Sequence, residues 1–323
     1  MLELRGVTVD YLTPSGTKRA VDDVSFTLGR GQVLGLAGES GSGKSTIAQA
    51  ILRILRPPGV VSGGQILWEG DDILAMDAAT LRAFRWTEIA MAFQSALNSL
   101  NPVMTVGDQI TDTFRAHGVR NRREIAERID ALLGVVGIDV SRAGSYPHQL
   151  SGGMRQRAVI AIALALRPKL LIMDEPTTAL DVVVQRSIMQ QIRDLKDELG
   201  FSILFITHDI SLMVEFSDRM AIMYGGRIVE TAASDEIFDR PQHPYTRGLL
   251  DSFPSLTAPK RRLSGIPGSP PDLLALPSGC VFHPRCAQRF EPCDRLTPEL
   301  EETTPAHRTA CFLHTSAAAE VSQ

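Results

Sequence analysis

The sequence predicts an α/β fold, with a largely parallel sheet, helices between its strands, and a ligand at the carboxyl ends of those strands. Three observations carry that prediction. Between residues 30 and 231, apolar runs suited to buried strands alternate with segments of helical spacing. Gly38-Glu39-Ser40-Gly41-Ser42-Gly43-Lys44-Ser45 reads G-x-x-x-x-G-K-S. It stands between an apolar run at 32–37 and helically spaced residues at 46–53, the strand–loop–helix context such a loop requires. A further apolar run at 169–174 ends in two carboxylates, Asp174 and Glu175.

Taken in order, residues 3–9 alternate with Leu4, Val7 and Val9 apolar, and a second strand is expected over 24–28. These fit an antiparallel flap. Tyr11 follows, placed either to stack on an adenine ring or only to pack its own sheet. In the loop, glycines permit φ > 0, so successive N–H groups can converge on one anion, and the helix N-terminus adds its dipole. Gly38, Ser40, Gly41, Gly43, Lys44, Ser45 and Thr46 are the candidate phosphate contacts. Lys44 can reach the β- and γ-phosphates, and Ser45 can place its hydroxyl on Mg²⁺. The plainer reading of the same residues is a glycine-rich turn with an exposed lysine.

Arg56-Pro57-Pro58-Gly59 breaks the helix. Strands are expected at 64–69 and 89–93, with a short helix at 80–84, and the second strand ends at Gln94. From residue 95 to about 166 the texture becomes helical, with helices at 105–117, 121–136 and 151–166. In the second of these, Ile125, Ile129, Leu132, Leu133 and Val136 share a face. This is a helical insert in an α/β domain. An amphipathic helix at 182–199, a strand at 201–207 ending at His208, and a hairpin around Gly225-Gly226 follow.

Asp174 is placed to help hold Mg²⁺, and Glu175 to polarise an attacking water. Gln94 could meet both the metal and the γ-phosphate edge. A strand-end histidine is most often structural, but beside these groups His208 reads as a γ-phosphate contact. Ser151-Gly152-Gly153 at a helix start forms a second anion-binding surface, and one nucleotide need not touch both surfaces of the same chain.

The totals exclude several classes. The chain has 323 residues, 44% hydrophobic and 22% charged, which is ordinary for a globular protein. A net charge of −4 gives no sign of a general nucleic-acid binder. The longest apolar stretch, 158–166, falls far short of a membrane span, and the first residues lack a secretory pattern. A cytoplasmic protein is expected. After residue 252, prolines and glycines crowd together, marking an extended linker or small loop-rich domain. All four cysteines lie there, Cys280, Cys286, Cys293 and Cys311, spaced C-x₅-C-x₆-C-x₁₇-C. Four thiolates can hold zinc or an iron–sulfur cluster, and the close C-x₂-C pairs usual in zinc ribbons are missing. Free or disulfide-linked thiols are the remaining reading.

Over residues 1–253 the chain resembles the ABC-transporter ATPases. The phosphate loop, Gln94, Leu150-Ser151-Gly152-Gly153-Met154, Asp174-Glu175, Thr178-Ala179-Leu180-Asp181 and His208 occur in that family's order. The resemblance implies a RecA-like core with an antiparallel flap and a helical insert at about 95–166. It also implies two cassettes paired head to tail, ATP sandwiched between one phosphate loop and the other's LSGGM helix, and Asp181 at that interface. Glu175 would be the base, and His208, Lys44 and Mg²⁺ would stabilise the transferred phosphoryl charge.

Ser99-Leu100-Asn101-Pro102, His243-Pro244-Tyr245-Thr246 and Gly279-Cys280-Val281-Phe282-His283-Pro284-Arg285-Cys286 narrow the resemblance to dipeptide and oligopeptide importer ATPases, which include nickel and other small-solute importers. Ser95-Ala96-Leu97-Asn98 departs from the acidic start expected there, which bears on the contact with a membrane subunit and leaves ATP chemistry intact. The implied partners are a second ATPase chain, in a heterodimer, two transmembrane permease subunits and an extracytoplasmic solute-binding protein, with no nucleic acid. The implied location is the cytoplasmic face of the inner membrane. Similar ATPases carry cysteines at such positions, which makes a [4Fe–4S] cluster on residues 254–323 the expectation, with Zn²⁺ the alternative. Arg285, Arg289 and His283 would offset cluster charge or be solvated. A peptide exporter, a soluble ABC ATPase and a regulatory module without turnover are the competing functions. The absence of a second cassette or long coiled-coil insert opposes the soluble ATPase, and intact Glu175 and His208 oppose the regulatory module.

Overall fold

In chain order the strands are β1 (Leu2–Thr13), β2 (Gly16–Leu28), β3 (Val33–Ala37), β4 (Gly59–Trp68), β5 (Asp71–Asp72), β6 (Ile89–Ala92), β7 (Leu170–Asp174), β8 (Ser202–Ile206), β9 (Arg219–Tyr224), β10 (Arg227–Ala233), β11 (Glu301–Thr304) and β12 (His307–Thr309). The computed structural model describes residues 1–93, 99–176, 181–252 and 265–314. Gln94, the Thr178-Ala179-Leu180 motif and the boundary expected near residue 253 lie outside the described residues. The chain divides into two units. One comprises Met1–Leu28, Val33–Leu74 and the chain from Ile206 onward, and the other Gly29–Gln32 and Ala75–Phe205.

In the first unit, β2, β1, β4 and β5 form the antiparallel flap in that order. Leu2, Leu4, Val7 and Val9 of β1 are buried with Val21, Val24 and Leu28 of β2, and a register shift between Leu4 and Val7 breaks strict alternation along β1. The same unit holds β11, β12, β10, β9 and β3 as successive neighbours. Every residue of β3 is buried and the strand runs parallel to β9, as a continuous apolar run predicts. β9 and β10 form the expected hairpin. Gly225 and Gly226 carry φ of 55° and 84°, the positive values that a two-residue turn of matching twist needs at both central positions.

The described part of the C-terminal region is mostly loop, with two short strands. It adds β12 antiparallel to β10 and β11 antiparallel to β12. Glu-Glu-Thr-Thr and His-Arg-Thr are too short and polar to show an alternating pattern. Tertiary bonds hold them, including Ala310 N–H to Val229 O at 2.8 Å and Thr309 Oγ1 to Gln242 Oε1 at 2.8 Å.

In the second unit, β8, β7 and β6 are neighbours in that order, with β6 and β7 parallel. Helices span Ala78–Phe84, Val106–Ala116, Arg122–Val135, Gly152–Leu164 and Val182–Leu199. Thr105, Asn121, Ser151 and Asp181 cap the last four of these, each side-chain oxygen accepting first-turn amide hydrogens that would otherwise lack a partner. Ile125, Ile129, Leu133 and Val136 are buried as the helical spacing predicts, and Leu132 is half-buried at the edge of that face. Among the described residues, no helix is long and apolar enough to cross a membrane.

Candidate functional site

β3 ends directly at the phosphate loop, and the helix Lys44–Ile51 leaves it. Gly38, Gly41 and Gly43 adopt φ of 148°, 80° and 103°. A Cβ on Gly38 would lie 2.2 Å from Met223 O, and one on Gly43 2.3 Å from Ala20 O, so neither position accepts a side chain. Gly43 caps the helix without a side-chain acceptor, so no side chain competes with an incoming anion at this helix start. Lys44 is 6% exposed, and its Nζ donates to Gly38 O and Glu39 O, both at 2.8 Å, and to Ser42 Oγ at 3.2 Å. The ammonium is thus stored on the loop's own carbonyls, within the loop that would receive phosphate. Ser40 and Gly41 are exposed, and Ser45 and Thr46 are half-buried at the helix start.

Tyr11 lies in β1 opposite Lys18 of β2 and Gly59 of β4. Its half-exposed ring runs over Gly59, where an added Cβ would come within 3.0 Å of Cε1. His208 follows β8 and is exposed, and Asp209 beside it caps the helix Ile210–Phe216 through Leu212 N–H at 3.0 Å.

In the other unit, β7 is buried throughout and ends at Asp174, which is 4% exposed. Glu175 follows with φ of 47°. A left-handed backbone at a glutamate is uncommon and costs on the order of 1 kcal/mol, and it sets the direction in which the chain leaves this strand. Ser151 and Gly152 are exposed at the start of Gly152–Leu164, and Gly153 is half-buried. Asp181 is exposed, and its carboxylate accepts from Val184 N–H at 2.9 Å, so the residue has a capping duty of its own.

None of the four cysteines is paired in a disulfide, and they line one apolar pocket with Phe282, Phe290 and Phe312. Burial pushes the Cys280 thiol up to about 11 and Cys311 up to about 12, and raises Cys286 as well. Four thiolates are the donor set that a [4Fe–4S] cluster needs, and binding would displace their protons. Among the described residues, no group of three or more His, Cys, Asp or Glu side chains stands in a metal-holding arrangement. His283 is engaged through Nδ1 with Cys280 O at 3.0 Å.

Three features escaped the sequence reading. Arg285 is not solvated. Its side chain is 6% exposed and forms a two-point ion pair with Glu39 of the phosphate loop. His243, from the His-Pro-Tyr-Thr motif, is a buried helix cap whose Nδ1 accepts from Tyr245 N–H at 3.0 Å, and burial pulls it down to about 4. Tyr245, fully buried, accepts the Glu39 N–H on its hydroxyl at 2.8 Å. Tyr245 and Arg285, from two different motifs, therefore hold the phosphate loop, and His243 caps the helix that carries Tyr245. The motifs mark these residues in the sequence, and only the tertiary fold gives their partners.

Residues 21–178 match the ABC transporter family, and residues 229–293 match the oligopeptide/dipeptide transporter C-terminal region. A putative peptide import ATP-binding protein of Brucella abortus is 46% identical over 305 residues, covering 94% of this chain and 92% of that protein. The dipeptide transport ATP-binding protein DppD of Caldanaerobacter subterraneus subsp. tengcongensis is 43% identical, covering 97% and 95%. Among solved structures, the dimeric bacterial ABC transporter cassette MJ0796 superposes with a TM-score of 0.65 at 28% identity, over 72% of this chain and 99% of that one. CbiO1 from Clostridium perfringens, part of an ABC transporter complex, gives 0.62 at 29% identity over 74% and 90%. The chain belongs to the ABC-transporter ATPases, and it carries the C-terminal region of the oligopeptide/dipeptide branch. Its enzymatic activity is ATP hydrolysis.

Proposed function

We propose that this chain is the motor subunit of a membrane importer for di- and oligopeptides. The observation that carries this reading is the union, in one chain, of a phosphate loop with the oligopeptide/dipeptide transporter C-terminal region. The names of the Brucella and Caldanaerobacter relatives support the same solute class.

In this reading the loop amides and Lys44 bind the β- and γ-phosphates, and Tyr11 stacks on the adenine. Ser45, Gln94 and Asp174 would hold Mg²⁺, which when bound would neutralise charge on the phosphoryl oxygens. Glu175 takes the proton of the attacking water, and His208 bonds the γ-phosphate. Ser151, Gly152 and Gly153 serve the nucleotide of a second cassette, with Asp181 beside them. The exposure of Ser151 and Gly152, and the dimeric state of the MJ0796 cassette, support that pairing. The second cassette is a different ATPase chain. Two permease subunits and an extracytoplasmic binding protein complete the importer, and the chain works at the cytoplasmic face of the inner membrane.

Uptake of labelled dipeptide, longer peptide and nickel is the deciding measurement. Deleting the chain abolishes peptide uptake, and its return restores it. Loss of nickel uptake alone would keep the motor and replace the solute, and peptide retention inside deleted cells would mark an exporter.

Cys280, Cys286, Cys293 and Cys311 would hold a [4Fe–4S] cluster, which when bound would cross-link the C-terminal region at four points. That all four line one apolar pocket supports this. Anaerobic purification should yield iron and acid-labile sulfide in equal amounts, both lost in Cys286→Ser. Zinc without iron would overturn the cluster.

A further inference from the structure

We propose that Arg285, a residue of the C-terminal region, is a positioning residue for the nucleotide: it fixes the phosphate loop by gripping Glu39. Three glycines with positive φ leave this loop with few intrinsic restraints. Its N–H groups bind phosphate well only if they already point to one place. Glu39, the second residue of the loop motif, offers a side chain long enough to be held from outside.

The guanidinium is built for that grip. Nη1 donates to Glu39 Oε2 at 2.7 Å and Nη2 to Oε1 at 3.0 Å, a bidentate pair. The remaining donors are also engaged. Nε donates to Pro267 O at 2.8 Å, Nη1 also to Tyr224 Oη at 3.2 Å, and Nη2 also to Ile266 O at 3.4 Å. All five N–H bonds of the side chain thus have acceptors, and Cζ lies 5.7 Å from the Tyr224 ring centroid. A guanidinium so saturated holds one orientation.

Glu39 passes that orientation to the loop backbone. Its N–H donates to Tyr245 Oη, and its carbonyl accepts Lys44 Nζ at 2.8 Å and Ser42 N–H at 3.2 Å. Side chain, amide and carbonyl of one residue are therefore all held, and the lysine that reaches for phosphate starts from that carbonyl. A second contact supports the same link. Pro270, Pro271 and Leu273 from the C-terminal region line one cleft with Ser40 and Gly41. The C-terminal region thereby acts on the nucleotide site of its own chain.

The inference rests on use of the loop for ATP, so its test carries a separate arm for that reading. ADP affinity, measured calorimetrically, and steady-state ATPase kinetics are compared for full-length parent, Arg285→Gln, Arg285→Lys, Glu39→Ala and the Glu39→Ala/Arg285→Gln pair. Each single loss weakens ADP and raises KM for ATP roughly tenfold, with kcat within about twofold, because ground-state positioning is lost and the hydrolytic groups are intact. The double variant is no worse than either single one, since both remove one contact. Arg285→Lys recovers part of the affinity, keeping the charge without the fork. Glu39→Ala leaves the C-terminal region's own groups in place and reports even if Arg285→Gln fails to fold. Parent-like ADP affinity in folded Glu39→Ala or Arg285→Gln, or additive losses in the double variant, would overturn the proposal. A parent chain that bound ADP no better than Lys44→Ala would instead sink the ATP reading beneath it.

Discussion

Glu175→Gln keeps ATP bound and loses turnover by roughly 10²–10⁴-fold, the range expected when a general base is removed. Glutamine has the glutamate's shape and still accepts a hydrogen bond from water, but it cannot take a proton at neutral pH. The buried strand β7 brings the chain to this point, and the left-handed backbone of Glu175, at φ of 47°, fixes how its side chain departs. The substitution leaves that backbone unchanged. Single-turnover hydrolysis with radiolabelled ATP reads the chemical step, and gel filtration with ATP and Mg²⁺ reads the paired state. The expected outcome is a slow chemical step with nucleotide retained in a stable pair of cassettes. Asp174→Asn should behave differently, weakening Mg²⁺-dependent binding as well as turnover, because Asp174 is assigned to the metal. Hydrolysis at the parent rate in Glu175→Gln would remove the base from Glu175.

What the sequence made legible is what local chemistry determines. The glycines at 38 and 43 are required where a Cβ would strike a carbonyl 2.2–2.3 Å away, so the loop's motif and its geometry are the same fact. β3 and β7 are continuous apolar runs because they are buried throughout, and Ile125, Ile129 and Leu133 recur at helical spacing because one face is packed. The Glu39–Arg285 pair was not legible, since its partners stand 246 residues apart and no local pattern links the two motifs that hold them. Arg285 sits among cysteines, which drew a reading of charge compensation, whereas its guanidinium turns to the loop. β11 and β12 were hidden for a related reason: their polar residues follow no alternation and owe their order to β10. The family resemblance implies an interface role for Asp181, and its helix-capping bond is a second reason for an aspartate there.

Glu230→Ala should lower the unfolding free energy by about 3–5 kcal/mol at neutral pH, the usual cost of removing one partner from a buried charged network. Glu230 is fully buried on β10, and His307 of β12, 2% exposed at its side chain, donates Nε2–H to Oε1 at 2.7 Å. The same carboxylate accepts Gln242 N–H at 2.7 Å and His243 N–H at 3.0 Å. One anion therefore ties the C-terminal strands to the turn that starts the helix Pro244–Asp251. Without it, two amides and an imidazole are left buried and unanswered. Burial works to raise the Glu230 carboxyl, but bonds from His307 and the Gln242 and His243 amides outweigh it and hold the group below its ordinary value of 4.5. Its stabilising effect is thus complete above about pH 4.5 and is lost as pH falls through the lowered value. His243 adds an earlier acid window. Burial holds it near 4, against 6.5 when exposed, so the unfolded chain binds the extra proton between those values and stability falls as pH drops across them. Protonated Nδ1 also cannot accept the Tyr245 N–H, so the helix cap is lost in the same step. Urea unfolding from pH 8 to pH 4 should show parent stability declining from about pH 6.5, a slope abolished in His243→Asn, which can still cap the helix. The deficit of Glu230→Ala should remain constant from pH 8 to 7 and be of kilocalorie size throughout that range. A Glu230→Ala chain as stable as the parent at pH 7 would mean that the buried carboxylate does not hold the C-terminal strands in place.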